Sequence, residues 1–148
     1  MRLNDYGMTV SSMGDHFFFY FFFFFLGGGD VTVNARGLKQ NMKRLAIFRY
    51  LKQHHYDVIC LQETHLTKQD IPIWEKQWGG TIIYVEGTAH GQREMILISK
   101  KVHCEVNIIK QRSRHLVMHL KGEGIDVVIA NVYAPKLKAE KHTQYFLI

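Results

Sequence analysis

The sequence lacks the features that mark secreted, membrane-spanning and nucleotide-binding proteins. Its two cysteines, Cys60 and Cys104, are far apart and do not form the pattern of a disulfide-rich secreted domain. No apolar run reaches the ~20 residues that a membrane-spanning helix needs. The glycines at 27–29 are not followed by Gly-Lys-Ser/Thr, which excludes a phosphate loop. We therefore expect an intracellular protein, nuclear or cytoplasmic, with no membrane partner.

One segment, FFFYFFFFFL at residues 17–26, holds eight of the ten phenylalanines. Asp15 and His16 precede it and no A-x-A-like cleavage site follows it, so it is not a signal peptide. It has neither the two-residue period of a strand nor the 3.6-residue period of a helix. We interpret residues 1–30 as a low-complexity, aggregation-prone extension that precedes an ordered domain at 31–148.

Positive charge is concentrated in residues 31–148. They hold 18 Lys and Arg against 10 Asp and Glu, a net charge of +8, whereas residues 1–30 hold one against three, a net charge of −2. A basic domain favours a polyanionic partner, because each neutralised phosphate releases counterions. A solvated basic surface with no partner is the alternative explanation, so the charge alone does not establish DNA binding.

Hydrophobic periodicity in residues 31–148 predicts several strands and one helix. Alternation at 31–34 is typical of a strand that ends at Asn34. An apolar stripe that recurs every three residues from Met42 to Leu51 predicts an amphipathic helix over 42–54, with Arg44 on its polar face. This order predicts an α/β (α+β) sandwich with helices outside the sheets. Further strands are predicted at 57–62, 81–85, 95–99, 105–109, 116–120 and 125–132, the later ones as a meander.

Three polar residues, Asn34, Glu63 and Tyr133, stand at the ends of predicted strands, where an α/β scaffold places reactive groups. The carboxylate could bind Mg²⁺, which takes one or two carboxylates and keeps its other positions for water and phosphate. The amide and the phenol could hydrogen-bond a phosphate. Each residue also has an ordinary explanation: Glu63 as a solvated strand end, Asn34 as a turn residue and Tyr133 as a core aromatic with a wet tip.

Three short motifs occur in order: NARGL at 34–38, LQETH at 61–65 and NVYAP at 131–135. Together they resemble the first three motifs of the endonuclease/exonuclease/phosphatase superfamily, most closely those of the apurinic-like endonuclease domain of LINE-type retrotransposon polyproteins. WGGTI at 78–82 and ILISKK at 96–101 are similar to its next two strands. The resemblance covers 31–148 and implies the first half of a four-layer α/β sandwich.

The resemblance also implies a role for each strand-end residue. Glu63 would bind a catalytic Mg²⁺, Asn34 would help to position the metal or the phosphate, and Tyr133 would hydrogen-bond the scissile phosphate. The implied reaction is a single-strand nick in DNA by an activated water, as in retrotransposon target nicking.

The sequence departs from this family pattern in two places. The thirteen residues after Pro135 contain no Asp, so the Gly-Asp-Phe-Asn motif, the later aspartate and the closing Ser-Asp-His are absent from these 148 residues. QREM at 92–95 stands where the family usually has a small Gly-Val-Ala run. We expect Glu94 in that run to disturb the packing of its strand.

We therefore expect a truncated endonuclease domain that is inactive and binds DNA weakly through its positive charge. The alternative is a non-catalytic nucleic-acid-binding or interaction fragment. We also expect self-association, because an inner sheet face should be left partly uncovered. The residues assigned to that face include Val58, Leu61, Ile96, Ile98, Val117 and Val128.

Overall fold

A computed structural model describes residues 9–11, 29–85, 94–112 and 115–132. Within these ranges, eight strands form two sheets and two α-helices pack on one of them. None of the helices described is long and apolar enough to cross a membrane. The elements are β1 (Thr9–Ser11), β2 (Gly29–Asn34), α1 (Asn41–Gln53), β3 (Tyr56–Gln62), α2 (Ile71–Trp78), β4 (Thr81–Tyr84), β5 (Met95–Ile98), β6 (Cys104–Arg112), β7 (His115–Gly122) and β8 (Ile125–Val132).

The first sheet has five strands in the order β1-β2-β3-β5-β4. β2 and β3 run parallel and are connected through α1, which makes a βαβ unit. β5 lies between β3 and β4 and is antiparallel to both. The predicted meander is therefore wrong at the step from β5 to β6, because β5 pairs with β4 and β3 and does not share a sheet with β6.

The second sheet is the antiparallel meander β6-β7-β8, as the spacing of these strands predicts. Its β7–β8 hairpin turns at Glu123 and Gly124, inside the predicted turn at 121–124. Gly124 has a φ of 75°, a conformation that glycine adopts without the strain that a Cβ would bring.

The helices cover one face of the first sheet and form with it the helix-covered core. Phe48 of α1 contacts both tryptophans of α2 edge-on, with ring centroids 6.4 Å from Trp74 and 5.6 Å from Trp78. The sheet contributes every second residue of its central strands, as the two-residue period requires. The main members are Val31, Val33, Ile47, Phe48, Leu51, Ile59, Leu61, Trp74, Trp78, Met95 and Leu97.

The buried stripe of α1 differs from the predicted one. Met42 and Leu45 are 72% and 36% exposed, while Arg44 is buried. A three-residue repeat falls about 60° short of a full helical turn at each step, so it drifts around the helix instead of staying on one face. Arg44 is buried because its guanidinium donates to the Leu38 carbonyl oxygen at 2.9 Å and lies 5.0 Å from the ring centroid of Trp74.

Helix α2 is absent from the sequence prediction. Pro72 stands in its first turn, a favourable position for proline, and Gly79 ends it with a φ of 77°. The next residue, Gly80, runs so close to β5 that a Cβ would lie 2.3 Å from the Ile98 carbonyl oxygen. The same oxygen accepts a 3.0 Å hydrogen bond from Trp78 Nε1. The Gly-Gly pair therefore permits α2 to dock against the edge of the sheet.

The opposite face of the first sheet packs on the second sheet and forms the inter-sheet core. Val58, Ile96 and Ile98 belong to it, as predicted, but they are buried by the second sheet rather than left uncovered. Leu61 belongs instead to the helix-covered core, and Val128 points outward and is 45% exposed. Within β7 and β8 the inward residues are Leu116, Met118, Leu120, Val127 and Ile129.

Candidate active site

The parallel pairing of β2 and β3 places two of the three predicted site residues side by side. Asn34, the last residue of β2, is in register with Gln62, and Glu63 is the next residue after it. The two chains remain paired beyond the strands, since Ala35 N donates to Gln62 O at 2.8 Å and Gly37 N donates to Glu63 O at 2.6 Å. The NARGL and LQETH motifs are thus two adjacent loops at one end of the sheet.

Both loops have a constrained backbone. The Asn34 side chain accepts a 3.1 Å hydrogen bond from Arg36 N, which folds the loop back toward its own strand. Three non-glycine residues at this end have a positive φ, an uncommon conformation that concentrates at functional sites. They are Arg36 at 45°, Glu63 at 52° and His65 at 56°.

Helix α1 fixes the first loop through Lys43 and Arg44. Lys43 Nζ donates to Ala35 O at 2.8 Å and to Arg36 O at 3.3 Å. Partial burial, followed by the charge of Arg36, lowers the pKa of Lys43. Because Arg44 also holds the end of this loop through Leu38 O, the backbone beside Asn34 is tied to the helix at two points.

A buried amide pair joins the two sheets next to this end. Gln62 and Asn131 are 2% and 0% exposed, and Gln62 Nε2 donates to Asn131 Oδ1 at 3.3 Å. Asn131 Nδ2 donates to Leu61 O at 3.0 Å and to Met95 O at 3.1 Å, so one side chain of β8 contacts both β3 and β5. These amides fix the position of β8 against the strand that carries Glu63.

Glu94 completes the described part of the site. It precedes β5, and the pairing of Leu61 with Met95 brings it to the level of Gln62. Its side chain is fully buried, and neither carboxylate oxygen has a hydrogen-bond partner. Burial, and then the negative charge of Glu63, raise the pKa of Glu94 to about 9. The site therefore contains two acidic side chains, and the charge of Glu63 acts on Glu94.

Comparison with known proteins identifies the family. A profile of the Endonuclease/Exonuclease/phosphatase family matches residues 26–129, more than half of the chain. The chain belongs to this family. It is also 28% identical over 114 residues to the Transposon TX1 uncharacterized 149 kDa protein of Xenopus laevis. That alignment covers 74% of the chain and 9% of the transposon protein.

Membership of the endonuclease/exonuclease/phosphatase family agrees with the predicted α/β fold, of which the described residues provide a helical layer and two sheets. Asn34 and Glu63 lie together, whereas Tyr133 lies outside the described residues. Tyr133 directly follows Val132, the last residue of β8, whose carbonyl oxygen accepts a 3.2 Å hydrogen bond from Gln62 Nε2.

Sequence reasoning gave Gln62, Asn131 and Glu94 no role at the site. All three are polar residues near one end of an apolar strand. Gln62 and Asn131 lie near the ends of β3 and β8, and Glu94 directly precedes β5. No group of three or more His, Cys, Asp or Glu in the described ranges could hold a metal ion. Asn34, Glu63 and Glu94 nevertheless supply oxygen donors, which suit Mg²⁺ because it is bound through one or two carboxylates together with water and phosphate.

Proposed function

We propose that this chain is the metal-binding and phosphate-binding part of a Mg²⁺-dependent DNA endonuclease. The observation that carries the proposal is the placement of Asn34 and Glu63 on paired loops at the carboxyl ends of two parallel strands. Family membership supports nuclease-type chemistry. The similarity to a transposon protein favours a mobile element as the origin of the domain.

Glu63 and Asn34 would hold the cation, with Glu63 as the charged ligand and Asn34 positioning the metal or a phosphate oxygen. When bound, Mg²⁺ would supply neutralisation of the negative charge that develops on the phosphate. The chain's own contribution is orientation. The hydrogen bond from Arg36 N fixes the amide of Asn34, and the paired loops fix the backbone at Glu63. Tyr133 would donate a hydrogen bond to the same phosphate.

DNA is the proposed polyanion because the loop that follows Asn34 carries exposed cationic residues. Arg36 is exposed next to the Asn34 amide, and Lys39 is exposed in the same loop. The net charge of +8 over residues 31–148, from 18 basic and 10 acidic residues, provides a long-range attraction for phosphate. These features support DNA binding that weakens with salt.

The test is DNA binding by the full chain with and without a divalent cation. We expect Ca²⁺, which supports binding through oxygen ligands, to strengthen binding of a duplex oligonucleotide by wild-type protein. Glu63→Gln should abolish this increase and keep the salt-sensitive binding. Glu105→Gln, an exposed carboxylate on β6, is the matched control and should behave as wild type. Equal cation dependence in wild type and Glu63→Gln would refute the proposal.

A non-catalytic nucleic-acid-binding domain is the second candidate, and the basic surface favours it. It predicts DNA binding that depends on salt and does not depend on divalent cations or on Glu63. Both candidates make the same prediction in a plasmid assay. The 148 residues contain no Gly-Asp-Phe-Asn motif, so we expect no Mg²⁺-dependent nicking of supercoiled plasmid above background. Nicking that disappears in Glu63→Ala would contradict that expectation.

A further inference from the structure

Among the residues that the structure describes, Glu94 is the buried group whose chemistry the fold does not explain. Its two carboxylate oxygens are the only buried side-chain polar atoms without a hydrogen-bond partner among the described residues. Burying an unpartnered carboxyl is costly in either protonation state, since the ionised form needs donors or a cation and the neutral form needs an acceptor. Packing alone would be served better by the small apolar residue that the resembled family usually has nearby.

The direction of the Glu94 side chain follows from the alternation along β5. Ile96 and Ile98 face the inter-sheet core, so Glu94, two residues before Ile96, points to the same side of the sheet. Gln62 occupies the opposing position on β3 and faces the same side, where it contacts Asn131. The Glu94 carboxyl therefore lies between the sheets, at the end where Glu63 follows Gln62.

When Glu94 ionises, its carboxylate is repelled by the charge of Glu63 through a buried, weakly polar environment. Nothing described on the surrounding strands offsets that repulsion, because the neighbouring Gln62 and Asn131 amides are directed to each other and to backbone oxygens. A divalent cation bound between the two carboxylates would offset the repulsion, and it would also give the Glu94 oxygens the partner they lack. Mg²⁺ and Mn²⁺ are hard cations whose sites are built from such oxygens.

We propose that Glu94 is a second carboxylate ligand of the divalent-cation site that Glu63 begins. The inference rests on the proposed function, because it takes Glu63 to be the first ligand. It adds a ligand that the resembled family pattern does not contain, since a small Gly-Val-Ala run usually stands at this place. The chain would then hold its cation with two carboxylates instead of one, and would hold it before DNA arrives.

The test is Mn²⁺ binding to the full chain without DNA, measured from the loss of the free Mn²⁺ signal in electron paramagnetic resonance. We expect Glu94→Gln to weaken binding on the order of tenfold to a hundredfold, at least the loss that removal of an outer-shell partner causes. Glu94→Asp keeps the carboxylate and should recover part of the affinity. Glu105→Gln, on an exposed part of β6, should bind as wild type.

Thermal melts without metal separate loss of a ligand from loss of the fold. Without metal, folded Glu94 must hold a proton at neutral pH that the unfolded chain releases, and Glu94→Gln removes that cost of folding. The variant should therefore melt at or above the wild-type temperature while losing the stabilisation that Mn²⁺ gives. Wild-type affinity in Glu94→Gln, together with weakened binding in Glu63→Gln, would overturn this inference and leave the proposed function standing. Equal Mn²⁺ binding in wild type, Glu63→Gln and Glu94→Gln would overturn both.

Discussion

The two faces of the five-stranded sheet differ in how their buried polar groups are hydrogen-bonded. The helix-covered core is closed by aromatic and aliphatic side chains, and its buried cation, Arg44, is satisfied by the Leu38 and Lys39 carbonyl oxygens and by the Gln77 and Asn41 side chains. The inter-sheet core is equally apolar in its middle, but it ends in the amides of Gln62 and Asn131 and in the carboxyl of Glu94.

This difference suggests that the helix-covered face contributes mainly to stability and that the inter-sheet face ends at the proposed cation site. On the helix-covered face every polar atom of Arg44 that is described has a partner, so the face can be optimised for packing. On the inter-sheet face an unsatisfied carboxyl persists next to Glu63, and such a group is destabilising unless something binds it. We expect substitutions on the two faces to separate accordingly, and four experiments test that expectation.

The largest loss of stability should come from the helix-covered core. Trp74→Ala removes a ring that is 1% exposed and packs on Phe48 and Arg44, which should cost about 3–5 kcal/mol of the free energy of unfolding. Urea denaturation followed by circular dichroism measures it. Mn²⁺ affinity of the folded fraction should be unchanged. A change in affinity as large as that of Glu63→Gln would mean that the faces are not separable.

Asn131→Leu should affect both stability and the site. It removes the donor that the Leu61 and Met95 carbonyl oxygens share and one of the hydrogen bonds of the Gln62 amide, and we expect a cost of about 2–3 kcal/mol. Because Asn131 holds β8 against β3, Mn²⁺ binding should weaken as well. Val127→Ala, in the same inter-sheet core but away from the amides, is the control and should lower stability alone. Unchanged Mn²⁺ affinity in Asn131→Leu would contradict the positioning role.

Stability without metal should fall as pH rises, because of Glu94. Its pKa is raised to about 9 in the folded chain from 4.5, so over that window the folded state keeps a proton that the unfolded state has lost. Between those two pKa values the free energy of unfolding should therefore decrease by about 1.4 kcal/mol per pH unit. Urea melts across that range should show the slope in wild type and lose it in Glu94→Gln. An equal slope in both would assign it to another group.

The smallest effect should come from the short 3-10 helix Lys68–Asp70, which directly precedes α2. Asp70 accepts a 2.7 Å hydrogen bond from Thr67 N and forms a capping box with that residue at the start of the 3-10 helix. Burial raises the pKa of Asp70, but the Thr67 hydrogen bonds and the charges of Lys39 and Arg44 together lower it below 3.8. Its contribution is therefore present above the ordinary pKa and is lost as pH falls through the lowered one. Asp70→Ala should cost about 1 kcal/mol at pH 7. Asp70→Asn should recover part of that cost, and the thermal melts should converge at low pH.

Most strands were predictable because their signal is local. The β-branched run at 57–62 and the long run at 125–132 became β3 and β8 nearly as predicted. The strand order was not predictable, because the insertion of β5 between β3 and β4 depends on pairing between distant segments. Helix α2 was missed because its eight residues give barely two turns of periodicity, and its buried face is set by Trp74 and Trp78 docking on α1 and the sheet edge.

The site was predictable only as far as its motifs reach. Asn34 and Glu63 were found from strand ends and from the resemblance, and the parallel register of β2 and β3 brings them together. For Glu94 the sequence predicts only disturbed strand packing, because the partners of a buried carboxyl are not known until the register of the neighbouring strands is known. The expected self-association is untested, although the inner face that motivated it is covered by the second sheet. The role of Tyr133 stays a prediction.

The contrast in connectivity between the two sheets has a kinetic consequence. In the second sheet each strand pairs with its neighbour in the chain, so both hairpins close short loops. Hairpins of that kind form in about 1–10 μs. In the first sheet β3 pairs with β5, although α2 and β4 lie between them in the chain. Closing that longer segment costs more conformational entropy than closing a hairpin loop. We therefore expect the β6–β8 meander to form first and to serve as the template on which β3 and β5 assemble, with the carboxylates of Glu63 and Glu94 brought together last.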